Sequence, residues 1–276
     1  MPDSPQYNFA DRDLRNRSFQ GQNLNGADFS GADIRGCNFS NAQLVGANFE
    51  RVKTGLSRRQ LISILLAIAI VFLVLGDVVG QLIFNAQGQV PGSPSWSFVI
   101  LLYTVLMVAG LAAGTTAIYG KTDTLGRVAI AVSSILSGAI VGFFYLGVLT
   151  NNNPIAAIAG MIGGGSLMYF VNSQWHFQLV KIAIAAAAAI TAYGATFLLS
   201  ATASSFLSVE IIFPWGVVFT LLSLVYFWFA IVSLFHVVLQ VQQAVGTSFK
   251  RANLTDAIFT NAELWNTDLD RWKLES

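Results

Sequence analysis

The sequence predicts a membrane α-helical bundle, of about six transmembrane helices, inserted into a small stacked repeat structure that both ends of the chain form together. Two observations lead to this prediction. A large apolar residue returns at every fifth position near both ends, and long apolar runs fill the middle. Of the 276 residues 54% are hydrophobic and only 11% are charged, less than half the charged share of an ordinary soluble domain. We expect three segments, with boundaries at residues 1–56, 57–243 and 244–276.

The period of five is clearest in "NLNGADFSGADIRGCNF", which begins at Asn23. A helix repeats its buried face near every 3.6 residues and a strand every second residue, so neither element explains this spacing. An Ala, or Cys37, often stands two positions before the large residue, with Asn or Asp between them. The large residues are Phe9, Leu14, Phe19, Leu24, Phe29, Ile34, Phe39, Leu44 and Phe49 in the first run, then Phe249, Leu254, Phe259, Leu264 and Leu269, with Leu274 as an irregular last member.

This motif, A(D/N)(L/F)xx, resembles that of the pentapeptide-repeat family, and the resemblance covers both ends of the chain. It implies a right-handed quadrilateral β-helix, in which each repeat makes one side and four repeats make one coil. The spacing agrees with that fold, because five residues can carry the chain along one side and round a corner. Successive coils would then stack at about 4.8 Å, with the large residues inside.

The number of repeats predicts that the two ends combine. Nine repeats make little more than two coils and the second run makes little more than one, whereas about three stacked units are usually needed for stability. We therefore expect one composite solenoid, interrupted between Phe49 and Phe249 by the membrane segment. The alternation of Phe and Leu skips one side there, which the chain near Thr54 or Ala244 would supply. The alternative is two separate short caps.

Six apolar segments are long enough to cross a membrane. They are Leu61–Phe84, Ser97–Tyr119, Val128–Leu149, Ile155–Val171, Leu179–Leu199 and Trp215–Gln240. The fourth is short and rich in glycine, so a re-entrant segment is the alternative there. The opening "MPDSPQYNFADRD" lacks the features of a secretory signal, which favours a cytoplasmic N-terminus.

Basic residues predict the same orientation for both ends. They lie before the first span, between the second and third, at the start of the fifth and after the sixth, and the other three connections contain none. By the positive-inside rule both termini are cytoplasmic, in a plasma or thylakoid membrane. The residues concerned are Arg58, Arg59, Lys121, Arg127, Lys181, Lys250 and Arg251.

Small residues predict how the helices pack. Each of the first four spans contains a GxxxG pair, which lets backbones approach closely, and the fifth contains "AAAAA". The aromatic sixth span is expected at the periphery. The glycine pairs are Gly76 and Gly80, Gly110 and Gly114, Gly138 and Gly142, and Gly160 and Gly164.

Candidate chemistry is sparse, and no catalytic or nucleotide-binding motif is present in the sequence. We expect no enzyme activity, no catalytic residue and no metal site. Asp77 is expected near the outer interface, and Lys181 at the inner end of the fifth span, so the two do not pair. His236 and His176, near the inner interface, are candidate ligands of a chlorophyll or haem, although polar anchoring explains them as well.

The leading functional hypothesis is a non-enzymatic membrane scaffold or assembly protein, whose cytoplasmic solenoid binds other membrane or cytoplasmic proteins beside the lipid bilayer. The whole resembles membrane-anchored pentapeptide-repeat proteins of cyanobacteria. The mixed surface charge argues against nucleic acid as a partner.

Two alternatives remain open. One is a transporter or channel with a solenoid gate, for which a polar path would need Thr115, Thr116, Ser133, Ser134, Ser137 and Ser166. The other is a pigment-binding accessory subunit of a photosynthetic complex, holding chlorophyll or carotenoid beside His236 and the sixth span.

Overall fold

The computed structural model describes residues 7–87, 89, 92–119, 123–174 and 178–269. Contacts divide the chain into two units. The residues up to Leu65 and those from Gln242 onward form one unit, and Leu66–Val241 form the other. We call the repeat-bearing part of the first unit, residues 7–55 and 244–269, the repeat stack, and the second unit the helix bundle.

The repeat stack is held together by parallel β-bridges between residues twenty apart, such as Asn8 with Asp28 and Asp28 with Asn48. Backbone N–H groups donate between the same levels, as from Phe29 to the carbonyl of Asn48 at 2.7 Å. Each bridge is isolated, and the described residues of the stack contain no extended strand. Each of these bridged residues is therefore four repeats away from its partner in the sequence.

Phenylalanine rings form two ladders inside the stack. Phe9, Phe29 and Phe49 lie face to face with centroids 4.9 Å apart at each step, and Phe19 and Phe39 do the same at 5.0 Å. Rings of different ladders meet edge to face at 5.5 to 6.1 Å. Stacked and edge-to-face arrangements are the two that aromatic quadrupoles favour.

The repeated large residues are mostly buried in one cluster. The buried members are Leu14, Phe19, Leu24, Phe29, Ile34, Phe39, Leu44, Phe49, Phe249 and Leu254, whereas Phe9, Phe259, Leu264 and Leu269 are partly exposed. Leu274 lies outside the described residues. The small residues two positions earlier, among them Ala32 and Cys37, are buried beside them.

Sharp turns separate the repeats. The carbonyl of the large residue accepts from the N–H three residues on, as in Cys37 N–H to Ile34 at 3.0 Å. The residue two positions after the large one has positive φ in most repeats, a conformation that Gly, Asn and Asp adopt most readily. These positions are Asp11, Asn16, Gly21, Gly26, Gly31, Gly36, Asn41, Gly46, Arg51, Arg251, Asp256, Asn261 and Asn266.

Both ends of the chain contribute to this one stack. Bridges join Asn38 to Ser248, Gln43 to Asn253, Asn48 to Ile258 and Lys53 to Glu263. Phe39 stacks on Phe249 at 5.0 Å, which continues the second ring ladder across the interruption. The C-terminal repeats therefore pair directly with the N-terminal ones.

Six helices among the described residues are long and apolar enough to cross a membrane. They are α1 (Arg58–Gln87), α2 (Trp96–Tyr119), α3 (Thr124–Leu149), α4 (Pro154–Gln174), α5 (Gln178–Leu207) and α6 (Phe213–Gln242). α5 runs eight residues beyond the expected end at Leu199, because the small and hydroxyl residues that follow continue the helix. α4 is a continuous helix of 21 residues, about 31 Å at 1.5 Å per residue, which favours a crossing over a re-entrant segment.

The closest helix pair is α3 with α4, through glycines. A Cβ on Gly142 would overlap the carbonyl of Gly160, and one on Gly138 would overlap that of Gly164. Here the two GxxxG pairs face each other, and backbone meets backbone as the motif predicts.

The other two GxxxG pairs behave differently. Gly110 and Gly114 of α2 make room for the rings of Tyr226 and Phe229 on α6, and the Tyr226 hydroxyl donates to the carbonyl of Met107 at 2.9 Å. At Gly76 and Gly80 of α1, no described atom other than those of the adjacent residues and the nearby α1 backbone lies within 4 Å of the position that a Cβ would occupy, so the prediction that they mediate close packing is wrong. A GxxxG pair permits close approach, but a partner surface must use it.

The alanine-rich α5 is the central helix of the bundle. Ala192, Ala195 and Leu198 are buried, and Gly194 receives Val79 of α1. α6 exposes Trp215, Trp228 and Phe235, while its Tyr226 faces inward. The bundle thus surrounds a helix of small side chains, with most aromatic residues of α6 outside.

Candidate functional site

The chain leaves and re-enters the repeat stack at a site lined by hydroxyl groups. Thr54 stands five residues after Phe49 and is buried, and its Oγ1 donates to the carbonyl of Glu263 at 2.8 Å. The Thr247 hydroxyl donates to the carbonyl of Ile34 at 2.9 Å and accepts from the N–H of Gly55 at 3.1 Å. Two threonines therefore supply hydrogen bonds where the regular repeat is interrupted.

At this junction the two chain segments cross at glycines. A Cβ on Gly246 would overlap the carbonyl of Gly55, so any larger residue would force the segments apart. Gly55 itself has φ of +114°, which L-residues rarely adopt. The carbonyl of Gly55 accepts from the N–H of Gly36 at 2.9 Å, and this bond ties the crossing to the repeat below.

α1 begins directly after the junction with a capping box. The backbone N–H of Ser57 donates to Gln60 Oε1 at 3.0 Å, and the N–H of Gln60 donates to Ser57 Oγ at 3.2 Å. Reciprocal bonds of this kind satisfy N–H groups that a helix start leaves free. Gln60 Nε2 also donates to the carbonyl of Gly246 at 3.1 Å, which links the start of α1 to the returning segment.

One outer face of the stack carries alternating charges. Arg15 donates through Nε to Asp13 at 2.8 Å, and Arg35 makes the same bond to Asp33 at 2.9 Å. Arg15 also lies 3.7 Å from Asp33, so the two pairs are joined. Lys53 and Glu263 follow at the next levels of this column, since Asp33 bridges Lys53 and Lys53 bridges Glu263. We call these six side chains the charged wall.

The ion pairs lower the pKa values of both carboxyl groups. Hydrogen bonds from Arg15 lower the pKa of Asp13 to about 2. Partial burial raises the pKa of Asp33, but the hydrogen bonds and charge of Arg35 outweigh it, so the net shift is downward. Both groups are therefore ionised at neutral pH.

Trp265 is the most exposed large apolar residue of the repeat stack, at 71%. Its backbone is fixed, because its N–H donates to Thr54 Oγ1 at 3.1 Å and its carbonyl, 3.2 Å from that oxygen, shares the hydroxyl proton with the carbonyl of Glu263. It stands two residues after Glu263, beside the last member of the charged wall. An exposed Trp on a fixed backbone, next to charges, is typical of a protein-binding surface.

Cys37 is a buried member of the stack interior. Its Sγ lies 3.0 Å from the carbonyl of Leu14, and burial raises its pKa to about 12. The thiol is therefore neutral at physiological pH and fills space as a small apolar residue.

The bundle brings together two residues that the sequence treated separately. Lys181 of α5 and His236 of α6 line the same small cavity, of about 30 Å³, with Ser133 of α3. His236 Nε2 is also 3.2 Å from Gln240 Nε2. That cavity has no room for a tetrapyrrole ring, so a pigment at His236 would have to lie outside it. His176 and Lys121 lie outside the described residues.

Asp77 lies apart from that cavity and has a local partner. Its carboxylate accepts from Gln81 Nε2, one turn along α1, at 3.0 and 3.1 Å.

Most hydroxyls proposed for a polar path also form hydrogen bonds within their own helix. Thr116 donates to the carbonyl of Ala112 and Ser137 to the carbonyl of Ser133, each at 2.8 Å. The packing of small residues between helices explains the presence of these hydroxyl residues.

A larger cavity of about 280 Å³ lies among α1, α2, α3 and α4. Its wall is mostly apolar, with Leu102, Ile140 and Met161, and its polar lining residues are Asn85, Gln89 and Ser95. Its described lining residues include no histidine, so they offer no imidazole ligand for a chlorophyll or haem.

Several features of the stack were not predicted, although the sequence carries signals for some of them. Gly21, Gly26, Gly31 and Gly36 recur every five residues, which marks the positive-φ turns. In the eight repeats where this bond is found, the Asn or Asp before the large residue accepts from the N–H two residues on, as Asp28 does from Ser30 at 2.9 Å. Nothing in the repeat pattern distinguishes Trp265.

Comparison with known families supports the repeat assignment. A family model described as pentapeptide repeats matches residues 13–51 and 245–273, in eight copies. The matched residues lie on both sides of the helical segment. No curated protein and no solved structure matches the chain.

Proposed function

We propose that this chain is a non-enzymatic integral membrane scaffold, which presents the repeat stack as a rigid surface for binding other proteins. The pentapeptide-repeat match supports an interaction role, and the six apolar helices support membrane insertion. A membrane-anchored protein of the kind found in cyanobacteria fits both features.

We infer that the repeat stack is a right-handed, four-sided β-helix, and we propose domain boundaries at 1–56 and 244–276 for the repeats and 57–243 for the inserted helical domain. Bridges recur at four positions in each twenty residues, for example Asn8, Asp13, Ser18 and Asn23, as four sides per coil require. The Asn38–Ser248 bridge supports a composite of the two ends.

Both termini are proposed to lie in the cytoplasm, at a plasma or thylakoid membrane. An even number of crossings returns the chain to the side from which it started, as bridges between its two ends require. The basic residues Arg58, Arg59, Arg127, Lys250 and Arg251 favour the cytoplasmic side for these ends.

The exposure of Trp265 is the observation that carries the interaction role. An indole ring 71% exposed on a fixed backbone gains free energy when a partner covers it, and little ordering entropy is lost. The neighbouring charged wall, which contains both signs, would select a partner with a complementary pattern rather than a uniformly charged one. We expect another membrane or cytoplasmic protein there.

Purification from native membranes tests this function. Full-length protein is isolated in mild detergent, and stoichiometric partners are identified before and after Trp265→Ala. The matched control is Ile258→Ala, since Ile258 is 49% exposed on the same stack but pairs with Asn48 in a different column of bridges. We expect Trp265→Ala to lose the partner and Ile258→Ala to keep it. Equal recovery from both variants, or no stoichiometric partner with the unmodified chain, would contradict the proposal.

A further inference from the structure

The helix bundle contains a small polar cavity, entirely within Leu66–Val241, at which five helices meet. Apolar side chains of α3 and α5 complete its wall. The polar lining residues are Thr116 of α2, Ser133 of α3, Asn172 of α4, Lys181 of α5, and His236 and Gln240 of α6.

Ser133 has an unsatisfied hydroxyl in this cavity. The residue is 1% exposed, and its Oγ has no hydrogen-bond partner within the described structure. The neighbouring Ser134 and Ser137 differ, because they donate to Ala131 and Ser133 carbonyls at 2.9 and 2.8 Å. A buried hydroxyl without a partner is costly, so a ligand that accepts from Ser133 would remove a penalty already present.

The charge of the lining is positive. Lys181 is the one Lys or Arg among the described lining residues, and these include no Asp or Glu. The lining includes the last turns of α2, α4 and α6 but the first turn of α5 alone, so the partial charges of the helix ends do not themselves favour an anion. The ammonium group therefore decides which ion the cavity favours.

The hydrogen-bond donors of the lining residues also favour an anion. Ser133 can donate its hydroxyl proton, and the amide groups of Asn172 and Gln240 can donate as well. Thr116 already donates to the carbonyl of Ala112 at 2.8 Å, so it offers only lone pairs. Donors thus come from α3, α4 and α6, around a cation on α5.

We propose that this cavity binds a small monovalent anion of the halide class, with Lys181 supplying the charge and Ser133 a hydrogen bond. A volume of about 30 Å³ accommodates one or two particles the size of water. A phosphate group with its oxygens does not fit, which excludes a lipid headgroup. This binding goes beyond the scaffold function and does not depend on it.

Chloride NMR line widths test the site on the full-length protein in detergent micelles, prepared in gluconate buffer. Chloride is titrated in, and bromide is then added as a competitor. We expect the unmodified protein to broaden the chloride line saturably and bromide to reverse the broadening. Ser133→Ala and Lys181→Gln should each weaken chloride binding by about tenfold or more.

Ser233→Ala is the matched control, because Ser233 Oγ is also buried without a partner in the described structure but does not line this cavity. It should bind chloride like the unmodified protein. Size-exclusion profiles monitor folding. If Lys181→Gln does not fold, the proposal is judged on Ser133→Ala alone, because that substitution removes only the hydroxyl oxygen. Absence of saturable broadening, which would mean that only water occupies the cavity, overturns the proposal. Unchanged binding by Ser133→Ala overturns it equally.

Discussion

Phe49 and Phe259 stack face to face, with centroids 4.9 Å apart and ring planes within 7°, although the whole helical segment separates them in the chain. During synthesis of the chain, the last N-terminal repeats therefore lack their stacking partner until the last helix has been synthesised. Because the stack is completed only by this pairing, its stability depends on contacts of long sequence separation. Such contacts form late and cooperatively.

Replacing Phe49 by Ala should destabilise the whole repeat stack, including its C-terminal part. Phe49 is fully buried, with one ring stacked on each side and two at its edge. Loss of a buried Phe typically costs about 3 to 5 kcal/mol. Hydrogen exchange measured by mass spectrometry should show faster exchange both near Phe29 and near Phe259.

Asn48→Ala provides a comparison at the adjacent position, where the side chain points outward and is partly exposed. It should raise exchange only slightly. If Phe49→Ala increased exchange in the N-terminal repeats but left the amides around Phe259 unchanged, the two ends would be independent caps.

Gly246→Ala should open the junction between the two halves of the stack. The added methyl group would overlap the carbonyl of Gly55, which is itself bonded to Gly36, so backbone must move. We expect a loss of about 1 to 3 kcal/mol, typical of overpacking. Amides of Gly36 and Gly55 should exchange faster, and the helices should remain folded by circular dichroism.

The comparison for this variant is Gly46→Asn. Gly46 has φ of +66° with open space around it, and Asn41 and Asn261 already occupy equivalent turns. Asn is therefore expected to be tolerated there. Equal destabilisation by both variants would mean that any glycine replacement in the stack is costly, which would contradict a specific role for the crossing of the segments at Gly246.

Much of the stack was predictable because its repeat is a local rule applied many times. Each five-residue unit specifies its own inward residue, and the sum of units specifies the ladders. The junction was less predictable, because it occurs once and depends on Thr247 and Gly246 meeting Gly55. Counting in fives did show that one side is skipped, but it left open whether the chain near Thr54 or near Ala244 supplies it.

Helix positions in the bundle were predictable from apolar length, but helix pairing was not. Four GxxxG pairs look alike in the sequence, yet only those of α3 and α4 bring backbones together. The cavity that joins Ser133, Lys181 and His236 depends on five helices meeting, which no single span reveals.

Gly142→Ala should separate α3 from α4. A Cβ on Gly142 would overlap the Gly160 carbonyl, which cannot rotate away as a side chain could. Cysteines introduced at Gly147 and Ala157, where a Cβ on Gly147 would lie 3.5 Å from that of Ala157, should cross-link efficiently in the parent and poorly in the variant. Gly80→Ala is the control and should leave cross-linking unchanged, because no described atom of another helix lies within 4 Å of its Cβ position.

The charged wall should give the stack a stability that is lost in acid. Arg15 lowers the pKa of Asp13 to about 2, and Arg35 also lowers the pKa of Asp33, whereas an unfolded Asp titrates near about 3.9. A lowered folded-state pKa means that ionisation favours folding, so the contribution is full above about pH 5 and disappears as the pH falls towards 2.

Thermal unfolding of the parent and of the double variant Asp13→Asn/Asp33→Asn measures this contribution between about pH 6 and pH 2. The parent should be more stable at the upper end, and the two proteins should converge at the lower end. The difference should be small and should shrink with added salt, because Asp13 and Arg15 are exposed and the Asp33–Arg35 pair is only partly buried. A difference that stayed constant throughout this pH range would assign it to packing of the side chains rather than to their charge.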